Sequence, residues 1–61
     1  MEKSVFLELK VGDNVQTIDF GTATVYDWAC NGVEVILWNF DPPKPVNRCT
    51  EFTRQEIKCK L

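Results

Sequence analysis

The sequence predicts an all-β fold in which five short strands close into a small barrel, with one 3₁₀ or helical turn before the last strand. Three observations lead there. The stretches rich in β-branched and aromatic residues are all short, turn residues punctuate them repeatedly, and the one helix-opening spacing, Thr53-Arg54-Gln55-Glu56, has little chain left after it. The 61 residues form one domain. A chain of about 60 residues hides only about 60% of its unfolded surface, so a second core has no room.

Residues 1–9 hold an apolar run, Val5-Phe6-Leu7-Glu8-Leu9, that either packs on the barrel or extends from it. Val11-Gly12-Asp13-Asn14 is a turn cluster, and a first strand follows over Val15-Gln16-Thr17-Ile18. Asp19-Phe20-Gly21 breaks it, and Thr22 to Asp27 has the composition of a second strand. Asn31-Gly32 is the preferred pair for a two-residue type I′ hairpin turn, because both positions tolerate positive φ. A third strand then runs from Val33 to Phe40. Asp41-Pro42-Pro43-Lys44-Pro45 ends it, since proline has no N–H to give a ladder. A short fourth strand is expected near Val46 to Cys49, and a closing strand over Ile57 to Cys59 after the Thr53–Glu56 turn.

Five strands, tight turns and one helical turn before the last strand describe an SH3-like barrel, which manages its sheet edges by closing on itself. An OB-fold is the alternative, although it usually needs a longer chain and a longer helix. The residues Lys10-Val11-Gly12-Asp13-Asn14-Val15, Phe20-Gly21-Thr22-Ala23-Thr24-Val25 and Gly32-Val33-Glu34-Val35 resemble the pattern of Tudor/KOW-type SH3-like domains, such as the one appended to bacterial UvrD- and PcrA-type DNA helicases. The likeness covers roughly residues 9–40. It departs from the pattern at Ala23, where the family has its second glycine, and in its acidic balance. The resemblance implies a domain that contacts other proteins, notably RNA polymerase, or touches nucleic acid. It suggests a small phage or bacterial regulator docked on a larger enzyme.

Composition narrows the function classes. The chain is 44% hydrophobic and 26% charged, as ordinary globular proteins are. No stretch approaches the roughly 20 apolar residues that cross a bilayer. Glu2 and Glu8 flank the apolar run, unlike an export signal, so a cytoplasmic location is expected. Cys30, Cys49 and Cys59 have no Cys-x-x-Cys pairing and read as reduced thiols. With no histidine, the chain lacks the commonest general base and a usual zinc ligand. Its three glycines are isolated, so no phosphate loop is present. No catalytic residue, metal or cofactor is expected.

The candidate site lies on the third strand. Strict alternation puts Val33, Val35 and Leu37 on one face and Ile36, Trp38 and Phe40 on the other, and both faces are apolar. One face fills the core. The other, with Tyr26 and Trp28, forms an aromatic patch that is either covered by residues 5–9 or free to bind a protein partner. A strict Asn31-Gly32 turn sets Trp28 opposite Val35, whereas a five-residue loop sets Thr24 opposite Ile36 and brings Tyr26 to the face of Ile36. The patch continues into Asp41, Pro42 and Pro43, whose stiffness limits the entropy lost on binding; the alternative is that the aromatic strand end plugs the barrel. Converging rings would also make a cage for a methylated cation. The net charge of −2 disfavours nucleic acid, although Lys44, Arg48, Arg54, Lys58 and Lys60 offer possible phosphate contacts. A monomer, or a homodimer closed over the aromatic face, completes the expectations.

Overall fold

The computed structural model of the chain describes residues 1–44 and 50–61. Its five strands are β1 (Asn14–Thr17), β2 (Thr22–Trp28), β3 (Val35–Asp41), β4 (Glu51–Phe52) and β5 (Ile57–Lys60). One α-helical turn, Lys3–Phe6, precedes them, and a 3₁₀ turn, Arg54–Glu56, leads into β5. The strands form one antiparallel sheet in the order β4-β3-β2-β1-β5, curled into a half-barrel. The strand expected near Val46 to Cys49 lies outside the described residues.

The concave side holds the core: Val15 of β1, Ala23 and Val25 of β2, Val35 and Leu37 of β3, Phe52 of β4 and Ile57 of β5. Burying each large aliphatic side chain contributes about 1.5 to 3 kcal/mol. Phe6 and Leu9 close one end of this core. They stand three residues apart on a helical turn, so both reach inward while Val5 and Leu7 remain exposed. The ring of Phe6 meets Trp28 edge-on at 5.1 Å, and the Trp28 indole N–H donates to the Leu9 carbonyl at 3.2 Å.

The turns have identifiable fastenings. Asp13 folds the Val11–Asn14 cluster back by accepting from the Lys10 backbone N–H at 2.9 Å. Between β1 and β2 the buried Thr17 hydroxyl accepts from Phe20 N–H and donates to Gly21 C=O, so its polar group is fully used. Before β5, the Glu56 carboxylate accepts from both the backbone N–H and the hydroxyl of Thr53, which realises the expected capping arrangement.

The β2–β3 hairpin departs from the expected two-residue turn. Ala29 N–H donates to Glu34 C=O, and Gly32 N–H donates to Ala29 C=O, so four residues form the loop. Gly32 has φ of +71°, but Asn31 does not have the positive φ a type I′ turn requires. Its side chain instead accepts from Val33 N–H and donates to Glu34. Val33 therefore belongs to the exposed loop and not to the core-facing row expected of it.

Candidate functional site

Two irregularities in the β2–β3 ladder decide which aromatics reach the surface. Trp28 pairs with Val35 and Asp27 with Ile36, but Val25 pairs with Leu37, so β2 carries one extra residue at Tyr26. Farther along, Thr24 pairs with Trp38 and Thr22 with Asp41, so β3 carries the extra residue there. A bulge of this kind reverses the facing of everything beyond it. On β2 it lets Val25 and Trp28 both turn toward the core. On β3 the turning point is Asn39, at φ of +55°, a conformation asparagine tolerates better than most residues.

The consequence for the expected row of Ile36, Trp38 and Phe40 is a split. Ile36 is half-buried and Trp38 is 53% exposed on the convex side. Phe40 turns inward and packs against the core with Phe20 and Phe52. The alternation reading was wrong at this residue because the bulge falls between Trp38 and Phe40. Of the two expected registers, the one that sets Trp28 opposite Val35 is found, formed by a four-residue loop, and Tyr26 nevertheless reaches the convex face, contrary to expectation, through the β2 bulge.

The convex face that results is compact. Tyr26, 59% exposed, meets Trp38 edge-on with ring centroids 6.0 Å apart. Beside them Ile36 lies in a cross-strand row between Asp27 of β2 and Glu51 of β4. The helical turn of residues 3–6 packs at Trp28 and leaves these two rings uncovered. Trp28 is half-buried against the core, separate from the Tyr26–Trp38 pair. Asp41, Pro42 and Pro43 are exposed at the end of β3.

A second aromatic group lies on the core side. The Lys44 ammonium sits 5.2 Å from the ring centres of Phe20 and Phe40 and 4.8 Å from that of Phe52. Three rings thus converge on one cation, and the cation is the chain's own. Lys44 is consequently turned into the protein and not outward with the other candidate phosphate contacts. Lys58 and Lys60 are exposed on β5, with Lys60 3.6 Å from Asp13, and Arg54 is half-buried with its guanidinium toward the Met1 carbonyl. Arg48 lies outside the described residues.

The Asp13 carboxyl is held below the usual carboxylate range, chiefly by the Lys10 backbone N–H, which outweighs an opposing desolvation, and to a lesser degree by the Lys60 ammonium. That shift is explained by its turn. Cys30 and Cys59 are exposed free thiols, and Cys49 lies outside the described residues. Among the described residues no three His, Cys, Asp or Glu side chains gather as metal ligands would, and no helix is long and apolar enough to cross a membrane. No family model, curated protein or solved structure matches the chain.

Proposed function

We propose that this chain is a non-catalytic, protein-binding module of SH3-like, Tudor/KOW type, acting in the cytoplasm by docking on a larger protein. One observation carries the reading: Tyr26 and Trp38 stand in mutual contact on the convex face with more than half of each exposed. Large aromatics lose little conformational entropy on contact and dominate binding hot spots, and a small domain gains nothing in its own stability from presenting two of them to water. The sheet order β4-β3-β2-β1-β5 and the glycine turns of residues 9–40 support the SH3-like assignment. A chain without histidine supports a binding role over a catalytic one.

The test is a pair of substitutions on β3. Trp38→Ala should weaken capture of the partner by more than about 1 kcal/mol while leaving the melting temperature nearly unchanged. Phe40→Ala should instead destabilise the fold by about 2 kcal/mol or more, because it empties a packed ring cluster. Full binding by Trp38→Ala would overturn the site.

A nucleic-acid interface is the second reading, favoured by exposed Lys58 and Lys60 on β5. It requires an affinity that falls steeply with salt. Micromolar binding of a duplex or single strand near physiological salt, weakened by Lys58→Glu, would put this reading first.

A further inference from the structure

Charge is distributed unevenly over the sheet. Strands β2, β3 and β4 carry Asp27, Asp41 and Glu51 and contain no lysine or arginine. Strand β5 carries Lys58 and Lys60. Of the remaining described bases, Lys3 and Arg54 belong to the two helical turns, Lys10 to the loop before β1, and Lys44 points into the Phe20, Phe40 and Phe52 rings. Among the described residues, the exposed Tyr26–Trp38 pair therefore sits on strands that carry acids and no bases. Its apolar neighbour Ile36 has a carboxylate residue on each side in register, Asp27 and Glu51.

We propose that the Tyr26–Ile36–Trp38 face recognises an arginine-bearing segment of a protein partner. The inference rests on the docking-face reading above and adds the chemistry of the occupant. A guanidinium is planar and weakly hydrated, so it stacks on an indole or phenol face while its N–H groups reach a carboxylate beside the ring. The face offers both features within one patch. An acidic segment would meet Asp27 as a like charge, and a phosphate backbone would be repelled in the same way.

Two blocked pentapeptides test this on the isotope-labelled protein by NMR titration: Gly-Arg-Leu-Arg-Gly and its uncharged counterpart Gly-Gln-Leu-Gln-Gly. The Trp38 indole N–H and the Tyr26, Asp27 and Ile36 amides report on the face. The Trp28 indole, bonded to the Leu9 carbonyl, is the internal control. The arginine peptide is expected to shift the Trp38 signals saturably, to leave Trp28 unmoved and to bind more weakly at high salt. Asp27→Asn keeps the side-chain oxygen that caps Trp28 N–H and removes only the charge. It should weaken the arginine peptide by about two- to fivefold, the worth of one exposed charge contact, without changing the glutamine peptide. Equal binding of both peptides at Trp38 would overturn the arginine preference and leave the docking face standing. An arginine peptide indifferent to Asp27→Asn would also overturn it. If neither peptide moves the Trp38 signals, the docking face falls as well.

Discussion

Gly21 shows how one residue ties two strands together. Its φ is +74°, and a Cβ added there would come within 2.5 Å of the Asp41 carbonyl oxygen and 2.9 Å of Pro42 Cδ. The start of β2 thus lies directly against the end of β3, where only a glycine fits. Gly21→Ala combines a left-handed backbone with a clash against main chain that cannot swing aside. It should cost about 2 kcal/mol or more, read as a lowered urea midpoint. Asp13 gives a pH-dependent expectation. Its carboxyl titrates lower in the folded protein than its ordinary value. The folded state therefore binds that proton less readily than the unfolded chain, so the stabilisation is complete above about pH 4 and is lost as pH falls below it. Asp13→Asn should melt lower than the parent at neutral pH and close that gap under acid, as a series of thermal melts would show.

At the scale of elements, strand composition and turn residues were legible because they act locally. The Thr22 start of β2, the Thr53–Glu56 turn and the Ile57 start of β5 all follow from side chains within a few positions of each other. Facing was legible only as far as the first bulge. Nothing near Tyr26 marks an extra residue, and Asn39 marks only a tolerance of positive φ, because a bulge answers to the partner strand and to the curl of the whole sheet. The N-terminal run was ambiguous for a related reason. Val5, Phe6, Leu7 and Leu9 satisfy a strand about as well as a turn of helix, and Phe6 and Leu9 are singled out only by the Trp28 surface they meet. Phe6→Ala should accordingly cost about 3 to 5 kcal/mol if the end of the barrel cannot collapse onto the gap. For a domain this small that is much of its total stability, and denaturant unfolding would show it as a large drop in midpoint. A drop below about 1 kcal/mol would mean that the segment contributes little to the core.

The molecule as a whole places the Tyr26–Trp38 pair and the Phe20, Phe40 and Phe52 cluster on opposite sides of one strand. Trp38 faces out and Phe40 faces in, with Asn39 between them, and the inner group is filled by the chain's own cation, Lys44. That arrangement was illegible because its rings come from three elements: Phe20 from the turn before β2, Phe40 from β3 and Phe52 from β4. Lys44 read as a solvent-exposed base for the same reason. Held by these rings, its ammonium ties the segment after β3 to the core, and a desolvated contact of this kind is worth about 2 kcal/mol. Lys44→Ala should lower the unfolding free energy by about 1 to 2 kcal/mol, measured by urea titration. Salt identifies the source of that loss. Attraction between a buried cation and ring faces is screened little, so the difference between parent and variant should persist at about 1 M sodium chloride, where the Debye length is only about 3 Å. Lys60→Ala is the control, since the Lys60–Asp13 pair lies at the surface with Asp13 half-buried, and its small contribution should shrink under the same conditions. If the effect of Lys44→Ala shrinks with it, surface charge holds the ammonium, and the three rings are packing alone.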